Sequence, residues 1–137
     1  MPTKQARTNP AVKVALGFVA QINAHDVSGI TALMTEDHVF VDSLGNRQHG
    51  RQNMTEGWRA YLEAFPDYTI VVEQSFASGP VVMLWGRARG TFASAGQLRD
   101  ENRWDIPAAW KAVIRDGHVA EWHVCADNDP VRRVMAK

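Results

Sequence analysis

The sequence has little of what usually assigns a chain quickly. Cysteine occurs once, as Cys125, which excludes an intrachain disulfide and supplies no thiolate cluster for a metal. No apolar run approaches the ~20 residues of a membrane-spanning helix. Charge of neither sign is in excess, because fifteen Lys and Arg offset fifteen Asp and Glu. A general nucleic-acid binder would need a basic face. The start, Met1-Pro2-Thr3-Lys4-Gln5-Ala6-Arg7, lacks the apolar core of a signal peptide. There is no glycine-rich phosphate loop, no serine nucleophile elbow and no His or Cys constellation at metal spacing. Internal repeats and linkers are absent too. These absences lead to the expectation of a cytoplasmic protein with no metal, no cofactor, no nucleic-acid partner and no membrane contact.

What is present suits one domain. A chain of 137 residues can bury about two-thirds of the surface its unfolded form exposes, enough for a core and a pocket. Hydrophobic residues make up 45% and charged residues 22%, ordinary values for a globular protein. Tryptophan is the exception, at five residues: Trp58, Trp85, Trp104, Trp110 and Trp122. Such side chains build cores and interfaces, and their indole N–H groups need partners when buried, as a site for a partly polar ligand also requires.

The periodicity changes once along the chain. Residues 1–9 are polar and read as a disordered N-terminus. Pro10, with Asn9 as N-cap, opens a helix over 10–24 in which Val12, Leu16, Val19 and Ile22 recur at helical spacing. Ser28 is expected to cap a short second helix carrying Ile30, Leu33 and Met34. A strand ending at Asp42 follows, then a helix over 51–65, stopped by Pro66-Asp67. Strands are expected at Thr69–Phe76, Val81–Phe92, 101–115 and Val119–Ala126. A polar loop is expected at 93–100, a hairpin at Asp116-Gly117, and a mixed tail from 127. Gly86 and Gly90 inside one strand indicate bends or close approach, and Pro107 a bulge or an edge. Helices followed by antiparallel strands imply an α+β fold: a curved antiparallel sheet wrapped around helices to form a cone with an interior pocket.

One carboxylate stands out on an apolar strand. Val39-Phe40-Val41-Asp42 alternates so that Phe40 and Asp42 share a face, and Ser43-Leu44-Gly45-Asn46 then turns the chain. If Phe40 faces the interior, so does Asp42, and apolar surroundings would raise its pKa toward values useful in proton transfer. The other reading is that Asp42 starts the turn by bonding its own backbone.

These segments resemble the nuclear transport factor 2-like superfamily, and within it the ketosteroid isomerase-like and SnoaL-like polyketide cyclase branch. The resemblance covers about residues 10–130, taken as a single domain with 131–137 as a tail. It is carried by Phe18-Val19-Ala20-Gln21-Ile22-Asn23-Ala24-His25-Asp26, by Val41-Asp42-Ser43-Leu44-Gly45 with Gly50, and by Ala64-Phe65-Pro66-Asp67. The run Arg115-Asp116-Gly117-His118-Val119-Ala120-Glu121-Trp122 and Asp127 complete it. Ketosteroid isomerases place an aspartate base where Asp42 stands. The resemblance puts Phe18 at their oxyanion tyrosine and Trp110 at their protonated aspartic acid. The histidine and aspartate pair of the cyclases falls near Trp110 and Val124. Losing an oxyanion donor typically costs a few kcal/mol of transition-state stabilisation, which argues against steroid isomerisation by that arrangement.

Alternation assigns the remaining candidates. Trp110, Ala112 and Ile114 share one face, as do Trp122, Val124 and Ala126. The opposite faces carry Lys111 and Arg115, and Glu121, His123 and Cys125. Val82, Leu84, Gly86, Ala88 and Gly90 read as inward, with small residues leaving volume for a ligand. Met83, Trp85, Arg87 and Arg89 read as outward, a composition that suits a homodimer through the outer sheet face. His49 lies near the expected mouth. Asp127 either caps the C-terminal turn or reaches into that mouth. His25 and His38 read as loop or surface residues. The expected function is cofactor-independent isomerase, cyclase or lyase chemistry on a small hydrophobic carbonyl or polyketide-like substrate. Asp42 would move the proton, with Phe18, Phe40, Trp58, Leu84, Trp122 and Val124 as pocket wall. Trp110 would be either wall or indole donor. The alternative is a non-catalytic small-ligand-binding or accessory protein.

Overall fold

The computed structural model describes residues 9–137, so the expectation of a disordered N-terminus, Asn9 apart, lies outside the described residues. In chain order the elements are α1 (Pro10–Asn23), α2 (Val27–Ala32), β1 (Met34–Val41), β2 (Arg47–His49) and α3 (Arg51–Ala64). Then come β3 (Thr69–Ser78), β4 (Val81–Ser94), β5 (Gln97–Arg115), β6 (His118–Cys125) and α4 (Asp129–Met135). One six-stranded sheet has the order β2-β1-β6-β5-β4-β3. It is curved and unclosed, with helices against its concave face: an α+β cone.

Local chemistry sets the helix positions. Asn9 Oδ1 accepts from the Ala11 and Val12 backbone N–H groups at 2.8 and 3.3 Å, and Pro10 fills the first turn. Phe18, Ala15 and Ile22 of α1 are fully buried. Beyond the helix end, His25 turns the chain with a φ of 56°, and its ring nitrogen lies 2.7 Å from the Tyr68 carbonyl. Asn23 exchanges two side-chain hydrogen bonds with the Ile70 backbone, at 2.9 and 2.8 Å. Those bonds satisfy main-chain groups on β3, an edge strand. After α3, the Asp67 carboxylate accepts from the backbone N–H and the hydroxyl of Thr91, both at 2.7 Å.

The fold departs from expectation in four places, two in the sheet and two in the helices. β1 and β6 pair in parallel, because the whole α3-to-β5 stretch separates them and can make the crossover that parallel pairing needs. The polar segment 93–100 is no loop but the end of a hairpin, closed by Ala95 and Gly96 with φ of 52° and 76°. Asp26, not Ser28, caps α2, accepting from Gly29 N at 3.0 Å. The mixed tail contains α4, which buries Val131 and Val134 against β5.

His38 is a correction of the surface reading. It lies on β1, fully buried, 6.2 Å from Phe18 by ring centroids. Two residues before Phe40 and four before Asp42, it shares their inward face, as alternation along β1 requires. Its Nδ1 is 2.7 Å from the Val119 carbonyl, so Nδ1 carries the proton, and Nε2 has no partner among the described residues. Burial lowers its pKa, leaving a neutral imidazole in the core.

Two glycines allow the curvature. A Cβ on Gly86 would sit 1.8 Å from the Val71 carbonyl oxygen, beside the β3 bulge. A Cβ on Gly90 would sit 2.8 Å from the Trp104 ring. Pro107 lies in β5 beyond Ala109, the last residue there paired with β6, so its missing N–H costs no ladder bond on that side.

Candidate functional site

The concave face is not filled along its whole length. Between α3 and the sheet lies a cavity of about 290 Å³. Its floor is set by strand pairing: Leu84 faces Trp110, Gly86 faces Ala108, Ala88 faces Ile106, and Gly90 faces Trp104. Ala88 and Ala108 are the small lining residues of the middle rows, and the indoles of Trp110 and Trp104 close the two ends. On α3, Met54, Gly57, Trp58 and Tyr61 line the cavity, a single stripe at i, i+3, i+4 and i+7. Phe40 and Asp42 line it from β1 and the turn after it, Gln48 from β2, and Ala126 and Asn128 from the chain after β6.

Asp42 does line the cavity, as Phe40 does, but its carboxylate is engaged by its own turn. Oδ1 accepts from the Leu44 and Asn46 backbone N–H groups, both at 2.9 Å, and Oδ2 accepts from the Asn46 side chain at 3.1 Å. Desolvation pushes this carboxyl up, but the hydrogen bonds from Asn46 and Leu44 outweigh it, and the pKa lies below the usual value. The expected rise is therefore corrected: Asp42 is a half-buried, ionised turn residue at the cavity rim. Ser43 ties that turn to the other rim, its hydroxyl accepting from Ala126 N at 3.1 Å and Asn128 Nδ2 at 3.4 Å.

The rest of the lining is uncharged. Burial pushes the phenols of Tyr61 and Tyr68 up, so both are neutral, and the two hydroxyls bond each other. Their rings meet edge-on at 4.9 Å. Trp110 and Trp122 are buried and stack at 6.5 Å. Trp58 lines the cavity with its Nε1 buried and unpartnered among the described residues.

Of the expected residues, Asp42, Trp110, Phe40, Trp58, Trp122 and Val124 come together here. Four do not. Phe18 is fully buried behind Trp122, 4.9 Å from it. Leu84 packs in the core behind its partner Trp110. His49 is exposed, because β2 is a strand and alternation gives the inward position to Gln48. Asp127 is exposed and accepts from Asp129 N at 3.0 Å, the capping alternative. Sequence reasoning missed Tyr61, Tyr68, Trp104, Ala108 and Asn128 as lining residues. Trp104, Ile106 and Ala108 continue the inward alternation of Trp110, and that signal could have found them. On the convex face Met83 and Trp85 are exposed, while Arg87 and Arg89 both bond Asp105, at 2.6 and 2.9 Å.

Among the described residues, no group of three or more His, Cys, Asp or Glu side chains is placed to hold a metal. No described helix is long and apolar enough to cross a membrane.

The SnoaL-like domain family matches residues 15–122. The chain belongs to the SnoaL-like family. A polyketide cyclase, provisionally so assigned, from Xanthomonas campestris pv. campestris is 15% identical with a TM-score of 0.80, covering 91% of this chain and 96% of that one. A provisionally assigned hydroxylase from Streptomyces galilaeus is 23% identical, covering 93% and 82%, with a TM-score of 0.74. An LEH-like epoxide hydrolase from M. tuberculosis is 14% identical, covering 95% and 92%, with a TM-score of 0.77. No curated protein matches. At these identities the likeness of this SnoaL-like chain to solved structures is one of fold, and its chemistry has to be argued from its own cavity.

Proposed function

We propose that this SnoaL-like protein binds a small, mostly apolar ring compound in the cavity under α3. The supporting observation is the small lining residues Gly57, Ala88 and Ala108, which leave about 290 Å³ between indole and phenol walls. A cavity of that size and lining suits a compact ligand with few polar atoms. The unpartnered Trp58 indole N–H and the neutral Tyr61 and Tyr68 phenols favour a ligand carrying an acceptor such as a carbonyl oxygen.

A catalytic reading stands beside it, favoured by one observation: Asp42 is the carboxylate in the lining, and at neutral pH it is ionised. In that reading Asp42 accepts a proton from the carbon next to the ligand carbonyl and returns it, with a neutral indole or phenol donating to the developing oxyanion. The low pKa makes Asp42 a weak base, so binding without turnover leads. The reading is tested by calorimetry with a panel of cyclic ketones, followed by deuterium exchange at their α-carbons in D₂O. Saturable binding with exchange at the uncatalysed rate is expected. Exchange accelerated by the wild type and lost in Asp42→Asn would make proton transfer the function.

Two further parts belong to this proposal. A second copy of the chain covers the convex face at Phe76, Met83 and Trp85, which are exposed, with Phe76 and Met83 cross-strand partners. Light scattering on Trp85→Glu, expected to be monomeric, checks it. The cytoplasm is the proposed location.

A further inference from the structure

The charge of the ligand is written in the lining. Seven aromatic side chains border the cavity, and Asp42 brings a carboxylate to its rim. Among the described residues no lysine, arginine or histidine lines it. Aromatic faces carry the negative end of the ring quadrupole and attract cations, most strongly where water is excluded. The remaining rim groups, Gln48 and Asn128, offer amide oxygens as well as N–H donors. An anion entering here would meet ring faces and a carboxylate, with no basic side chain of the described lining to offset them.

We infer that the cavity selects a cationic ligand: a protonated or quaternary amine joined to an apolar group, the ammonium held between the indole walls and Asp42. This rests on the reading of the cavity as a ligand site. Strand register places the charge. Phe40 pairs with Trp122, and Trp110 pairs with Val124. Asp42 follows Phe40 by two residues and therefore stands at the rim on the Val124 row, beside the stacked Trp110 and Trp122 rings. The carboxylate stays ionised because its turn supplies the hydrogen bonds, so it is a fixed charge. A long apolar group would reach toward Ala88 and Ala108.

The test compares three probes that share a benzyl group: benzyltrimethylammonium, its uncharged carbon analogue neopentylbenzene, and phenylacetate. Binding is followed by the indole N–H signals in nuclear magnetic resonance spectra of the full chain. The cation is expected to bind about tenfold or more tighter than neopentylbenzene, with no saturable shift from phenylacetate. Asp42→Asn, whose side-chain oxygen can still serve the turn, is expected to weaken the cation severalfold and leave neopentylbenzene unchanged. Ala108→Leu, which fills the cavity, is expected to abolish both. Neopentylbenzene binding as tightly as the cation, or phenylacetate binding better, overturns the cationic class and leaves the cavity reading intact. Cation binding that survives Ala108→Leu also overturns it. If no probe shifts any indole signal, the ligand-site reading falls as well. Should Asp42→Asn fail to fold, the wild-type ranking of the three probes decides.

Discussion

The two ends of the concave face are built from the same sheet and do opposite things. Under α1, Phe18, Ile22, Leu84, Met34 and Ala112 interlock with almost no exposure. Under α3, the small side chains of Ala88 and Ala108 leave a cavity walled by indoles and phenols. A histidine at the filled end and a carboxylate at the open end are set in opposite charge states by their environments. His38 at the filled end is neutral because burial disfavours the imidazolium. Asp42 at the open end is charged because three hydrogen bonds from its own turn hold the carboxylate. Close packing fixes the fold at one end, and its local relaxation at the other leaves room for a ligand.

The largest expected effect tests the filled end. Phe18→Ala should cost about 3–5 kcal/mol in urea unfolding, as large cavities in tight cores do. A cost below about 1 kcal/mol would mean the two ends are packed alike. The pH dependence comes next. His38 has a lowered pKa in the folded state, so below the ordinary histidine value the unfolded chain binds more protons than the folded one. Stability conferred by the neutral ring is complete above about pH 6.5 and declines as pH falls, by up to about 1.4 kcal/mol per unit until the folded value is passed. His38→Phe should flatten that slope in denaturation curves taken from pH 7 to 5. At the open end, Ala108→Leu should change stability by less than about 1 kcal/mol, since the added methyls enter free volume, while abolishing ligand binding. Smallest of all, Asp42→Asn should change the unfolding free energy by about a few tenths of a kcal/mol, because Asn serves the same turn.

Much of this architecture was legible in the residues. Helical spacing from Val12 to Ile22, the Pro66 stop and the Asp116-Gly117 hairpin gave elements that the structure retains, and period two placed Phe40, Asp42, Trp110 and Trp122 toward one interior. What failed did so for identifiable reasons. Three-residue β2 is too short to show a period, so His49 was read where Gln48 lies. His38 shares the inward face of Phe40 and Asp42 by the same period of two, so its burial was legible there and residue type alone suggested the surface. Apolar residues spaced only over Val131 and Val134 are too few to mark α4. Of the two readings of Asp42, the raised pKa fails and the turn reading matches the structure: the carboxylate bonds the Leu44 and Asn46 N–H groups, as Asp does at such turns. Gly86 was recognised as special, but the Val71 carbonyl that requires it lies on another strand.

A titration of the protein with small cyclic ketones, followed through the indole N–H signals, addresses the central claim most directly. The account predicts saturable shifts at Trp58, Trp110 and Trp122, little change at the convex Trp85, and loss of all shifts in Ala108→Leu. Signals that never move, or shifts that persist with the cavity filled, would contradict it.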